Sequence, residues 1–171
     1  DAANWERDDD RFCFLRHLEP YVGYSYAAGH AGFAAGNNQE SSSESLNFAA
    51  ACVLWGLHTN QEDISDLGLF LLAVESAAVE SYWFDVNQSV FPESMPHPLA
   101  GIVWDSGADY ATWWTANQEE IHGINILPVT GASLYLGRRS DAVTRSWNHL
   151  VSQNGGEPTV WQDILWSYLG L

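Results

Sequence analysis

Basic residues are scarce in this sequence, and lysine is absent. The six basic residues are all arginines, and none lies between Arg16 and Arg138. The chain contains 22 aspartates and glutamates, so its formal net charge at pH 7 is −16. Such a surface repels phosphate backbones and anionic lipid headgroups. The charge therefore argues against nucleic acid and membranes as partners, whereas a neutral polysaccharide is compatible with it.

Cysteine is scarce as well. Cys13 and Cys52 are too few for a disulfide framework and too isolated for a zinc site, and the six histidines show no metal-ligand spacing. We therefore expect no metal and no cofactor. No apolar run reaches the roughly 20 residues that a membrane-spanning helix needs. With 46% apolar residues and no internal repeat or linker, residues 1–171 are predicted to form a single domain.

Residues 38–44 read Asn-Gln-Glu-Ser-Ser-Ser-Glu, and they are the most informative stretch of the chain. An apolar stripe follows at spacings of four, three and four, which predicts a helix over 40–58: Leu46, Ala50, Val53 and Leu57. Positions i and i+4 stack on one helical face, so Glu40 and Glu44 are predicted to lie about 5–6 Å apart at Cβ. The alternative is a capping segment, with Asn37 or Asn38 as N-cap and acids that complement the helix dipole.

The remaining segments also favour helices. Similar patterns predict helices over 64–84, 141–153 and 159–169, with an irregular, proline-rich loop at 91–98. Residues 102–114 carry four large aromatic side chains, which suit either a core or a platform for sugar rings: Trp104, Tyr110, Trp113 and Trp114. Helical hairpins with long aromatic loops predict an all-α toroid.

The sequence of residues 38–44 resembles the signature of glycoside hydrolase family 81, the endo-1,3-β-glucanases that cleave laminarin-type glucans. The similarity extends to five further segments, 14–16, 21–27, 101–104, 121–128 and 161–166. It covers nearly the whole chain but only the later part of a family member. The resemblance implies the later half of an (α/α)6 toroid catalytic domain. It also implies a 1,3-β-glucan polysaccharide as partner, a secreted, extracellular enzyme, and an upstream part of the same enzyme to complete the fold.

The resemblance further implies an inverting mechanism with Glu44 as general base and Glu40 essential beside it. The helix dipole alone favours Glu40 as the ionised base, because Glu40 lies nearer the helix N-terminus. Two carboxylates on one face approach a sugar from one side, so they are poor candidates for acid and base together. In the family the general acid lies upstream of this motif. Four downstream carboxylates are available, but no sequence context identifies one as a substitute: Asp105, Asp109, Glu119 and Asp163.

The candidate substrate-binding residues come from the motif, the aromatic segments and the Ile-His-Gly segment: Tyr24, Tyr26, Asn38, Gln39, Trp104, Trp114 and His122. For His122, a structural role in anchoring a loop is an equal alternative. The chain has Gly-Tyr-Ser-Tyr-Ala at 23–27 where the family typically has Gly-His-Ser-Trp-Ala, and Ala35 where an aspartate is often found. A second hypothesis is a glucan-binding module without catalysis, or a catalytically incomplete fragment. Five to seven helical segments are fewer than the twelve of a closed toroid, so we expect little activity from residues 1–171 alone.

Overall fold

A hairpin of two long helices forms the centre of the fold in the computed structural model, which describes residues 3–28 and 32–171. Helix α1 spans Ser42–Thr59 and helix α2 spans Glu62–Tyr82. Asn60 adopts a left-handed conformation (φ 55°) and donates its backbone N–H to the Gly56 carbonyl, which ends α1. The two predicted helices and the turn between them are confirmed.

Short strands form two small sheets that the sequence patterns did not predict. In the first sheet, β1 (Leu18–Glu19) pairs antiparallel with β2 (Tyr24–Ser25). The second is antiparallel with the order β3-β4-β5, from Asn38–Gln39, Ile102–Trp104 and Gly107–Asp109. The all-α expectation was thus too simple. Strands of two or three residues are too short to show the alternation by which a strand is recognised.

Helix α1 begins two residues later than predicted, and the proposed asparagine N-cap was wrong. Asn38 lies in β3, opposite Trp104 of β4, so it is unavailable to cap a helix. The first turn is instead anchored by a remote residue. Asn125 Oδ1 accepts from the backbone N–H (2.9 Å) and the hydroxyl (2.8 Å) of Ser42. Ser43 Oγ donates to the Leu127 carbonyl (2.5 Å). These bonds pair buried polar groups at the end of a helix, where unpaired groups are costly.

Shorter helices complete the fold. They are α3 (Gln118–Gly123), a 3₁₀ helix (Gly131–Arg139), α4 (Ser140–Asn154) and α5 (Gln162–Leu169). Helix α4 is confirmed nearly at its predicted bounds. Helix α5 begins three residues later than predicted because Trp161 adopts a left-handed conformation (φ 49°). Helix α3 and the 3₁₀ helix are too short to show an apolar period, and they were not predicted.

The main core lies between α2, β4, α4 and α5, around side chains that are almost fully buried: Trp83, Leu99, Ile121, Leu150, Leu165 and Tyr168. A smaller cluster packs the N-terminal segment against the α1–α2 hairpin through Leu15, Leu18, Ala49, Leu67 and Leu71. No helix in the described part of the chain is long and apolar enough to cross a membrane.

The predicted apolar stripe of α1 is only partly buried. Leu46 is 1% exposed, but Leu57 is 65% exposed. Other large apolar side chains on the outer face of the hairpin are also exposed: Leu54, Trp55, Leu69 and Phe70. The hairpin therefore presents a broad apolar surface, of the kind that marks an interaction site.

Gly68 sets the distance between the two helices. A Cβ atom at this position would lie 2.6 Å from the Val53 backbone nitrogen and 2.8 Å from the Ala49 carbonyl oxygen. Both atoms belong to the backbone of α1, which cannot move aside as a flexible side chain can. Cys52 is partly buried at this crossing.

We therefore expect Gly68→Ala to push α1 and α2 apart and to lower the free energy of unfolding by about 1–3 kcal/mol. Chemical denaturation of the two proteins measures the change. Gly156→Ala is a matched control, because a Cβ there meets nothing within 4 Å. Equal losses in the two variants would show that the helix crossing is not the cause.

Candidate active site

Glu44 lies in the first turn of α1 and lines a cavity of about 210 Å³. Its side chain is exposed to solvent. The polar part of the cavity wall comes from the N-terminal sheet, the strand before α1 and both long helices: Ser25, Gln39, Ser41, Ser45 and Glu75. The rest is largely apolar and includes Phe48 and Leu71. Glu44 is thus a carboxylate at the edge of a partly enclosed, water-accessible space.

Glu40 lies in a different environment from Glu44. It precedes α1, so the prediction that the two glutamates share one helical face was wrong. Its side chain is 9% exposed, and Glu40 Oε2 accepts a 2.6 Å hydrogen bond from the backbone N–H of Trp113. Burial raises the pKa of Glu40; the Trp113 N–H opposes the shift, and the nearby Glu44 carboxylate adds to it. Burial is thus the largest influence on the ionisation of Glu40, in the direction opposite to that expected from the helix dipole.

An exposed aromatic cluster adjoins Glu40 through Trp113. The rings of Phe33, Trp104 and Trp113 lie 5.2–5.6 Å apart, centroid to centroid. Phe33 is 46% and Trp113 51% exposed, so two of the three rings offer free surface. Trp114 is similarly exposed, but its ring lies beside Trp161. Phe33 was not among the candidate residues, and Trp113 was named only as one of four aromatic side chains that suit a core or a sugar platform.

Tyr26 and Asp105 connect the two sheets near the cavity. The Tyr26 hydroxyl donates to Asp105 Oδ1 (2.6 Å), and Asp105 Oδ2 accepts from the backbone N–H of Asn37 (2.8 Å). Burial, together with this bond to Asp105, raises the pKa of Tyr26. Tyr26 lines the cavity that contains Glu44, as a substrate-binding residue should.

Three other candidate substrate-binding residues, Tyr24, Asn38 and Gln39, are largely buried. Tyr24 is 3% exposed and packs edge-on against Tyr26, Tyr82 and Trp83. Asn38 is fully buried, and neither polar atom of its side chain has a hydrogen-bond partner among the described residues. Gln39 is also largely buried, but it lines the cavity and donates to the Ser25 carbonyl (2.9 Å).

His122 is 1% exposed, which favours the structural alternative, the anchoring of a loop. Its Nε2 lies 3.1 Å from the Tyr110 hydroxyl, and its ring lies parallel to that of His149. The pKa of His122 is lowered to about 3. Burial is the largest cause, and the neighbouring His149 and His97 contribute to the same shift. The ring therefore belongs to the packed interior.

None of the four carboxylates downstream of the motif lines the cavity of Glu44, and three of them accept hydrogen bonds elsewhere. Asp109 accepts from the Trp104 indole N–H (2.9 Å), and Asp105 is bound as described above. Glu119 is buried and accepts from the Asn154 amide (2.6 Å) and from the backbone N–H groups of Thr159 (2.9 Å) and Val160. Asp163 is exposed in the first turn of α5.

The acid that shares the cavity with Glu44 is Glu75, which was not predicted from the sequence. It lies four residues after Leu71 on the apolar face of α2.

Within 3–28 and 32–171, no three His, Cys, Asp or Glu side chains are grouped so that they could hold a metal ion.

The low pKa of His122 predicts an acid-sensitive fold. Between its ordinary value of 6.5 and about 3, the unfolded chain binds a proton that the native state excludes. Stability should fall as pH decreases through this window, by up to about 1.4 kcal/mol per pH unit from this group. We expect His122→Gln to flatten the dependence, measured by denaturant unfolding at several pH values. His58→Gln, at an exposed position on α1, is the control. Curves of equal slope for wild type and His122→Gln would contradict the assignment.

Comparison with known proteins identifies the family of this chain. Residues 1–171 match the family model described as the glycosyl hydrolase family 81 C-terminal domain. The chain is 44% identical to a glucan endo-1,3-beta-D-glucosidase of Thermobifida fusca and 45% identical to one of Acetivibrio thermocellus. Each alignment covers 100% of this chain but only 23% and 22% of these relatives.

A solved structure is also similar. A mutant of the glycoside hydrolase family 81 protein from Clostridium thermocellum, CtLam81A, superposes with a TM-score of 0.94 at 45% identity. The match covers 99% of this chain and 24% of that protein. The chain thus spans about a quarter of the length of the proteins it resembles. It belongs to glycoside hydrolase family 81 and corresponds to the C-terminal domain of that family.

Proposed function

We propose that this chain contributes the general base of an endo-1,3-β-glucanase that cleaves internal bonds of laminarin-type glucans with inversion. Family membership and the names of the relatives support the reaction class. One observation carries the assignment of roles. Glu40 and Glu44 lie close enough to interact electrostatically, yet Glu40 is buried with a raised pKa, and Glu44 is exposed at a cavity.

This difference suits the two roles. In an inverting hydrolysis, one carboxylate accepts a proton from the water that attacks the anomeric carbon, while an acid protonates the departing oxygen. The base must contact water, and Glu44 is the member of the pair that does. Glu40 is fixed by the Trp113 N–H and retains a proton more readily. We therefore assign the base to Glu44, with Glu40 orienting the water or adjusting the charge beside it.

The general acid, in this proposal, comes from the part of the enzyme that the relatives possess beyond this domain. An inverting pair is separated by about 6.5–9.5 Å across the scissile bond, so the acid should face Glu44 from an opposing wall. The exposed apolar face of the α1–α2 hairpin supports such a wall. Burying it against further helices is favourable by about 25 cal/mol per Å². We propose that those helices complete an (α/α)6 toroid, of which this chain forms the later half.

The aromatic cluster of Phe33, Trp104 and Trp113 is the proposed platform for the glucan. Exposed aromatic rings present an apolar face with little conformational freedom to lose, which suits the apolar faces of sugar rings. The net charge of −16 does not oppose a neutral polymer. A polysaccharide is too large to enter a cell unaided, so we further propose that the enzyme is secreted.

We expect Glu44→Gln to lower kcat on laminarin by about 10²–10⁴-fold, because the amide cannot accept the proton of the attacking water. Binding of the glucan should change little. The measurement is reducing-sugar release by the full gene product, with laminarin affinity determined separately. Glu62→Gln, an exposed acid at the start of α2, is the matched control.

Near-normal turnover by Glu44→Gln would contradict the assignment of Glu44 as the general base. Glu40→Gln separates the two roles, since a residue that tunes the base should lower kcat less than the base itself. A wild-type protein that binds laminarin but releases no reducing sugar would instead favour the glucan-binding module.

The stereochemistry of the product is a second prediction. A water activated by Glu44 attacks the face opposite the leaving oxygen, so a β-linked glucan should first release α-configured reducing ends. Proton NMR during the first minutes of hydrolysis distinguishes the anomers before mutarotation mixes them. Early accumulation of the β-anomer would indicate a retaining mechanism, and Glu44 would then need to act as nucleophile.

A further inference from the structure

Glu75 is a buried acid for which the proposed mechanism has no role. It lies in the middle of α2, is 3% exposed, and faces the cavity that Glu44 lines from α1. The two ion pairs within the described residues, Arg11–Asp9 and Arg139–Glu80, do not include it. Burying a carboxyl group without a cation is costly. An apolar residue at this position would avoid that cost, so the acid requires an explanation.

Glu75 is the inner end of a chain of side-chain hydrogen bonds. The Ser45 hydroxyl on α1 donates to Glu75 Oε2. Ser45 Oγ lies 2.8 Å from Ser25 Oγ of β2. The Gln39 amide of β3 then donates to Ser25, to the carbonyl at 2.9 Å and to Oγ at 3.3 Å. Four separate elements are thereby joined through one partly buried network.

The network ends beside both glutamates of the proposed site. Ser45 directly follows Glu44 in the first turns of α1, and Gln39 directly precedes Glu40. A shift of Ser45 or Gln39 would therefore displace the backbone that carries Glu44 or Glu40. Misplacement of a reacting group by about 1 Å can cost 10²-fold in rate.

We propose that Glu75 is a positioning residue, which fixes Glu44 through Ser45 and Glu40 through Ser25 and Gln39. This inference rests on the proposed glucanase function, because it assigns Glu75 to the geometry of that catalytic pair. Glu75 does not touch the substrate in this proposal. It holds the floor of the cavity from which Glu44 acts.

The protonation state of Glu75 gives the proposal a distinct signature. Burial raises its pKa to about 7, although hydrogen bonds from Ser25 lower it. Burial therefore favours the neutral carboxyl at acidic pH. Above this value the carboxyl ionises, and the floor of the cavity then holds a buried charge without a cation. The other titratable groups that line the cavity are Glu44 on α1, His17 beside β1 and Tyr26 after β2.

The test compares Glu75→Gln, Glu75→Ala and Ser45→Ala in the full gene product, with kcat and KM on laminarin measured on both sides of pH 7. Glu75→Gln keeps the shape and stays neutral, so it should retain kcat within about twofold below pH 7 and exceed wild type above it. Glu75→Ala and Ser45→Ala should lower kcat roughly tenfold or more, with a smaller change in KM. Glu62→Gln on the same helix and Ser81→Ala, whose hydroxyl bonds only to its own helix, are the controls.

Each outcome decides the proposal. Wild-type kcat in both Glu75→Ala and Ser45→Ala would overturn it, as would identical pH profiles for wild type and Glu75→Gln. Circular dichroism would show whether Glu75→Ala folds. If it does not, the results for Ser45→Ala and Glu75→Gln still test the proposal. Wild-type protein without hydrolytic activity would overturn both the proposed function and this inference. Active wild-type protein, with variants whose kcat and pH profile are unchanged, would overturn the inference alone.

Discussion

The anchoring of the α1 N-terminus by Asn125 is the constraint on which the candidate site depends. Asn125 accepts two hydrogen bonds from Ser42 and donates to the Gly101 carbonyl (3.0 Å) just before β4. It therefore fixes where α1 begins relative to the three-stranded sheet. Because β3 pairs with β4, the residues between β3 and α1 have a defined path. Glu40 lies on that path and is consequently held against Trp113 rather than on the helix.

Two identical side chains thus acquire different chemistry from their surroundings. Glu40 is enclosed by the Trp113 loop and retains its proton more readily, whereas Glu44 projects from the first turn of α1 toward the cavity. Local sequence cannot produce this difference, since both are glutamates in a serine-rich segment. The difference arises from burial, which raises the cost of ionising Glu40, whereas the remote Trp113 N–H opposes that shift.

The domain combines a well-packed interior with an outer face that remains apolar. Trp83 and Leu150 are completely buried, while Leu54 and Leu57 are more than 60% exposed on the α1–α2 hairpin. The chain covers less than a quarter of its curated relatives. An apolar face of this extent suits a domain that packs against a further part of the same protein.

The sequence by itself determined the family, the two long helices, the hairpin turn and the pair of glutamates, because these depend on short-range periodicity and on a contiguous motif. Tertiary structure decided the rest. The five short strands, the late start of α1 and the burial of Tyr24, Asn38 and His122 follow from contacts between distant segments. The same is true of Phe33 and Trp113 beside Glu40, and of Glu75 beneath Glu44. These depend on pairings such as Asn125 with Ser42, which are more than 80 residues apart in the chain and leave no periodic signal in it.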